Sequence, residues 1–234
     1  YAHSDALYLN HPDGERLHIV GSPTDPGAIV LDFNGSISAA VVLNDGHTLH
    51  GFDGFTIRGD SSDTQYGLLV KWRALGFMSN LIIEHFTSHG IVVGNQSTLH
   101  FEDDSVITRN NGGHGAQVYY GSLLSAKGLT AQGNTESGLY TVHDSIAAVR
   151  NATFENNARS GLLSQYGSLA IAHGSKSKNN GAYGYHTYGN SIIYASSYED
   201  NTGKFRQTLS ADNGYDGFYA HTSLIRADEG RAHN

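Results

Sequence analysis

The 234-residue chain carries 29 Gly, only 3 Pro, 15% charged residues and a formal net charge of -8. That balance excludes nucleic acid as the main partner, because phosphate recognition needs a Lys/Arg footprint, and no apolar run is long enough for a membrane span. The absence of Cys removes disulfides, thiolate chemistry and Cys-ligated zinc.

Taken in chain order, residues 1–16 fit no repeat and read as a lead-in segment, with one β-helix domain expected over residues 17–234. The start at Tyr1, without a signal-like segment, reads as a fragment of a longer protein. Residues 17–20 and 28–33 alternate or run apolar and are expected to form the first coils, joined by a loop at 21–27. Residues 60–66 break the rhythm. From Gly67 onward a repeat is visible. Gly67 and Gly90 are 23 residues apart, as are Gly115, Gly138, Gly161 and Gly184. Ser97, Ser122, Ser145, Ser168 and Ser191 follow seven residues after their Gly, and Asn134, Asn157 and Asn180 form a third register. Two extra residues separate Gly90 from Gly115, and ten extra separate Gly184 from Gly217, placed near residues 203–213.

A leucine-rich repeat shares this period but needs Leu-x-x-Leu-x-Leu, which is missing. Each coil reads instead as two period-2 strands separated by Gly/Asn/Ser turns. The expected fold is therefore all-β: a right-handed parallel β-helix with coils of about 23 residues. Stacking places Leu68, Ile91, Ala116, Leu139, Leu162, Tyr185 and Phe218 in one inward column. Val70, Val93, Val118, Thr141, Ser164, Thr187 and Ala220 form a second, which turns small and polar downstream. The Gly column is expected to supply positive φ at a corner, and the Asn column a ladder of side-chain amides.

The outward positions of the first strand collect Tyr and His. Tyr119, Tyr140, His186, Tyr188, Tyr219 and His221 are the candidate carbohydrate-binding residues, with Trp72, Tyr120, His143 and Tyr166 at the adjoining turn. Aromatic faces with polar tips suit sugar rings, although the same strip suits contacts between sister chains. Hydrolysis of a glycan usually needs paired carboxylates. Glu155, Glu199 and Asp200 are the candidate catalytic acids, with Glu102, Asp103 and Asp104 as others. A lyase would need a base, for which His173 with Lys176 and Lys178, or Lys204 and Arg206, are candidates. The histidines, including His47/His50 and His85/His89, lack metal-ligand spacing and read as turn residues; no metal or cofactor is expected.

Residues 10–21 (Asn-His-Pro-Asp-Gly-Glu-Arg-Leu-His-Ile-Val-Gly), 28–35, 54–60 and the Gly…Ser-x-Ile-x-Ala coils resemble the pectin-lyase-like β-helix of bacteriophage tailspike and tail-fibre proteins. The resemblance is one of architecture and carries no catalytic motif across. It implies a homotrimer in the virion tail, made in bacterial cytoplasm, that recognises and in some cases depolymerises a host surface polysaccharide. A free-standing polysaccharide lyase or epimerase, and a purely structural solenoid, are the alternatives. The outer strip and the two breaks in the repeat are where function is expected.

Overall fold

The computed structural model describes residues 2–3, 5–61, 63–101, 106–199, 205–228 and 231–233. The chain is a parallel β-solenoid. Nine strands, Leu7–Tyr8, Ala39–Leu43, Tyr66–Val70, Ile91–Gly94, Ala116–Tyr119, Leu139–Val142, Leu162–Gln165, Tyr185–Tyr188 and Phe218–His221, stack in that order into one sheet. Seventeen others make a second sheet that folds around the remaining two sides. Two long strands join those sides: Thr48–Gly59 pairs with both His18–Val20 and Val30–Phe33, and Leu75–Glu84 with both Thr98–Phe101 and Val106–Arg109.

Each regular coil thus has three strands, not the two expected. In one coil they are Ala116–Tyr119, Leu123–Ala126 and Thr130–Gln132. The third was hidden because it is three residues long and its one inward position is Ala131, Phe154, Ser177 or Ser210 in successive coils. So short a strand shows no alternation. Pairing also begins upstream of residue 17. Ala2–His3 pairs with Asp32–Phe33, Leu7–Tyr8 pairs with Val41–Val42, and Leu9 is buried.

The inward columns follow the 23-residue register. Leu68, Ile91, Ala116, Leu139, Leu162 and Tyr185 are all fully buried and successive neighbours in the sheet. The second column is buried from Val70 to Thr187, while Ala220 is exposed. Its polar half has a cost: the hydroxyls of Thr141 and Thr187 find no hydrogen-bond partner, and each such group costs about 1–3 kcal/mol.

Side-chain ladders clamp coil to coil. Nδ2 of Asn111 donates to Asn134 Oδ1 at 3.0 Å, and the same bond runs at 2.9 Å from Asn134 to Asn157, Asn157 to Asn180 and Asn180 to Asn213. The backbone N–H of each also donates to the next Oδ1. Oγ atoms of Ser97, Ser122, Ser145, Ser168 and Ser191 accept N–H groups from the preceding coil in the same way.

The Gly column does not supply positive φ. It is needed for close approach: a Cβ on Gly138 would lie 2.8 Å from Gly161 O and 3.0 Å from Asn157 Nδ2. Consecutive pairs of left-handed residues sit at the corner after the first strand, such as Trp72 (φ 61°) and Arg73 (φ 61°), or His143 (φ 54°) and Asp144 (φ 57°).

The ten-residue insertion forms an antiparallel pair, Tyr198–Glu199 with Phe205–Arg206, and the chain re-enters the solenoid at Leu209–Ala211. The excursion therefore lies upstream of most of the expected 203–213 stretch. Residues 200–204, including Asp200 and Lys204, and residues 102–105, including Glu102, Asp103 and Asp104, lie outside the described residues.

Candidate functional site

The outer surface of the nine-stranded sheet carries two outward columns. One is Leu69, Val92, Gln117, Tyr140, Leu163, His186 and Tyr219; the other includes Gly94, Tyr119, Val142, Gln165, Tyr188 and His221. The sequence-predicted Tyr and His residues therefore share one face. Because coils stack at about 4.8 Å, neighbouring rings on this face and its rim can touch. They form an unbroken run of contacts: Tyr119–Tyr120 at 5.0 Å, Tyr120–His143 at 5.0 Å, His143–Tyr166 at 5.5 Å and Tyr166–Tyr188 at 5.6 Å between centroids. From Tyr188 the run continues to His186 at 5.5 Å and Tyr219 at 5.2 Å. Tyr183 stacks on Tyr219 at 4.7 Å and touches Tyr215 at 5.4 Å. His221 is exposed, opposite Tyr188 in register.

A cleft of about 310 Å³ opens on the same face, lined by Tyr66, Leu69, Lys71, Val92, Gln117 and Tyr119. Leu69 and Val92 give it an apolar floor. The ring of Tyr119 lies flat over Gly94, where a Cβ would be 2.3 Å from it. Across the rim a second cleft of about 480 Å³ is lined by Asp45, Gly46, Trp72, Arg73, Asn95, Gln96 and Tyr120.

The hydroxyls of Tyr119, Tyr140 and Tyr188 stay protonated at neutral pH. Burial, reinforced by neighbouring tyrosines, raises Tyr119 and Tyr140. Burial, then a hydrogen bond to Tyr166, pushes Tyr188 up to about 12. Tyr140 donates to Gln165 Oε1 at 2.9 Å. Burial lowers His186, which is accordingly neutral. These groups present hydrogen-bond donors and acceptors, and aromatic faces, rather than strong bases.

Two histidines, His89 and His114, are less superficial than expected. His89 stacks between Tyr66 at 5.7 Å and His114 at 5.0 Å, and His114 leans on Tyr140 at 4.7 Å. Nδ1 of His89 accepts the His114 N–H at 2.9 Å, and Nδ1 of His114 accepts the Ser137 N–H at 3.1 Å. Both rings are thus neutral with the proton on Nε2. Burial lowers His89 to about 4, and burial, with repulsion from His89, lowers His114 to about 3. The sequence signal for them was positional: both occupy the place just before the column Gly.

Glu155 is not on this face. It belongs to the 17-stranded sheet, between Gln132 and Lys178 in register. Followed upstream, that column reads Asp32, Arg58, Glu84, Arg109, Gln132, Glu155, Lys178. Its centre is an ion-pair ladder. Glu84, 2% exposed, accepts from Arg58 Nε at 2.7 Å and from Arg109 Nε at 2.6 Å. Burial pushes Glu84 upward, but the two guanidinium bonds outweigh it and hold the carboxyl below its usual range. Glu199 stands in the inserted antiparallel pair. His173 stacks on Tyr194 at 6.2 Å, and its Nδ1 accepts the Ser196 N–H at 3.1 Å. Lys176 and Lys178 share the strand that pairs with Thr153–Glu155. Neither outward column of the nine-stranded sheet carries a carboxylate among the described residues.

Residues 66–224 match the family of the right handed beta helix region. The chain belongs to that family. Its fold also matches solved structures of the periplasmic alginate epimerase AlgG. The T265N mutant aligns with a TM-score of 0.71 at 13% identity, over 87% of this chain and 49% of the other. The T265N T268M double mutant aligns with a TM-score of 0.70 at 14% identity, over 96% and 54%. This β-helix thus spans about half the length of those chains, and at such identity the likeness is one of fold. No curated protein sequence matches it.

Proposed function

We propose that this β-helix binds a polysaccharide along the outer face of its nine-stranded sheet, the glycan running parallel to the solenoid axis. The observation that carries the reading is the continuous run of rings from Tyr119 to Tyr219, beside the cleft at Tyr66, Leu69, Lys71 and Tyr119. Aromatic faces pack against the apolar faces of sugar rings, and the protonated hydroxyls of Tyr119, Tyr140 and Tyr188 serve the sugar hydroxyls. In its finer form the reading is that of a tailspike-like domain: a homotrimer in the virion tail that recognises a host surface glycan. What supports that form is the sequence texture of the coils.

A second reading, a lyase or epimerase acting beside a uronate carboxylate, draws on Lys71 in the cleft and on the neutral His186. It needs no carboxylate pair, which this face lacks among the described residues. One experiment separates the readings. The protein is incubated with capsule, lipopolysaccharide and alginate while retention, glycan chain length and the ultraviolet absorbance of unsaturated ends are followed. Retention without shortening is the result expected for a binding domain. Shortening with new absorbance establishes a lyase, shortening without it a hydrolase, and an altered residue configuration at constant length an epimerase. Tyr188→Ala and Tyr219→Ala should weaken retention with the oligomeric state unchanged. Failure of every glycan to bind, or variants that change assembly and leave binding intact, would overturn the proposal.

A further inference from the structure

The corner after the first strand is built from two consecutive left-handed residues. The fold fills it at low cost in some coils: Asp45–Gly46 (φ 56° and 77°) and Gly189–Asn190 (67° and 62°). Gly, Asn and Asp tolerate this region, whereas other side chains are disfavoured by roughly 1–2 kcal/mol. Trp72 (61°) and Tyr120 (52°) occupy the same corner. Burial does not offset the strain, since their exposures are 51% and 54%. Tyr120 gains a stacking contact with His143. Trp72 has no ring partner among the described residues. Strained, exposed aromatics in a turn that Asn or Gly would satisfy point to a ligand.

The geometry between them fits one. Trp72 and Tyr120 lie two coils apart, so stacking alone separates them by about 9.6 Å. The coil between presents the short Asn95 at the same corner. A flat ring held between two aromatic faces needs about 7–8 Å, twice a carbon–carbon contact distance. The cleft there measures about 480 Å³. Its polar lining is Asn95, Gln96, Arg73 and Asp45. One cation and one anion leave it without net charge, so amide and hydroxyl hydrogen bonding decides what fits. Asn95 Oδ1 accepts from the Tyr119 hydroxyl at 3.3 Å, which orients the amide.

We propose that the cleft between Trp72 and Tyr120 is a subsite that sandwiches one neutral pyranose ring. The inference rests on the reading of the sheet face as a polysaccharide track, and places one sugar of that chain, or a branch from it, over the rim. The occupant is recognised by its two apolar ring faces and its hydroxyls. Arg73 and Asp45 discriminate against a strongly charged residue by mutual compensation.

Trp72 is the only tryptophan in the chain, so its fluorescence reports this cleft alone. The probes are dextran, a soluble β-glucan, a galactan and alginate. Binding is read by affinity gel electrophoresis, which is independent of fluorescence, and Trp72 is read by emission and by acrylamide quenching. A glycan that retards the protein should shift Trp72 emission to the blue and shield it from acrylamide. Tyr120→Ala should abolish that response and weaken retardation about tenfold. Trp72→Asn should weaken retardation similarly while raising the melting temperature, because it relieves the corner. A fall in melting temperature would mark Trp72 as structural and overturn the subsite. Retardation with an unchanged Trp72 signal and full affinity in Tyr120→Ala would also overturn it, leaving the sheet-face track standing. If no glycan retards the protein, the track fails, and the subsite with it.

Discussion

The hydroxyl of Tyr119 donates to Oδ1 of Asn95, one coil earlier, at 3.3 Å. This bond joins the two clefts, since Tyr119 walls the one on the sheet face and Asn95 lines the one beyond the rim. Tyr119→Phe keeps the ring over Gly94 and removes the hydroxyl, and with it both the bond to Asn95 and the sugar contact proposed for that group. Affinity for a bound glycan should fall about threefold, the worth of one partly exposed hydrogen bond, with an unchanged melting temperature. Calorimetric titration checks this; unaltered affinity would show that Asn95 needs no orienting partner.

Glu84 holds three coils together through Arg58 and Arg109. Removing one partner of a buried pair costs about 3–5 kcal/mol. Arg58 and Arg109 keep 42% and 36% side-chain exposure, so water would take up part of the loss. Glu84→Ala should therefore destabilise by about 2–3 kcal/mol, measured by urea unfolding. A change below about 0.5 kcal/mol would match an exposed surface pair instead.

Asn157 donates to Asn180 Oδ1 and to Ala131 O, and accepts from Asn134. Asn157→Ala leaves several buried polar groups without partners, and should cost about 3–5 kcal/mol at about 1–3 kcal/mol per orphan with partial relaxation. Asn157→Asp should be no better, since it loses both donors and buries a charge. Chemical denaturation of the two variants checks the ladder.

His89 and His114 give the fold an acid limit. Both are lowered from an ordinary 6.5, to about 4 and about 3. The folded state therefore prefers the neutral rings. Their contribution is complete above pH 6.5 and is lost as the pH falls towards the folded values, on the order of 3 kcal/mol for His89. Glu84, held low, adds a further loss only at more acid pH, below its unfolded value of about 4.5. Melting temperature should be flat from pH 8 to about 6.5 and drop steadily towards pH 4. His89→Gln should flatten the drop, and an identical pH profile in that variant would contradict this account.

The repeat made the solenoid legible, because a position that recurs every 23 residues must stack, and stacking imposes strict chemistry on Leu68, Asn134 or Ser145. It also placed Tyr119, Tyr140, His186, Tyr188 and Tyr219 on one face. What it could not show was which face a residue joins when its strand is only three residues long. Glu155 is an acid candidate by residue type, and its offset of 17 from Gly138 gives its place in the coil. Offset specifies an angle around the coil, not a cleft, and the angle of Glu155 belongs to the Arg58–Glu84–Arg109 column. The role of the Gly column was misleading for a related reason. Close approach of Gly161 O to Gly138 is a contact between coils, invisible in the local sequence. His89 and His114 share the place before the column Gly, but Ser137 and Ser160 fill it in the next coils, so the pair does not stand out as a column.

The central claim is that a glycan lies along the nine-stranded sheet. Hydroxyl-radical footprinting of the protein, with and without a saturating bound polysaccharide, tests it most directly. Protection is predicted at Tyr66, Tyr119, Tyr140, Tyr188 and Tyr219, with Glu155 and Lys178 on the other sheet unchanged. Protection of the Glu155 side with the tyrosines left reactive would contradict it.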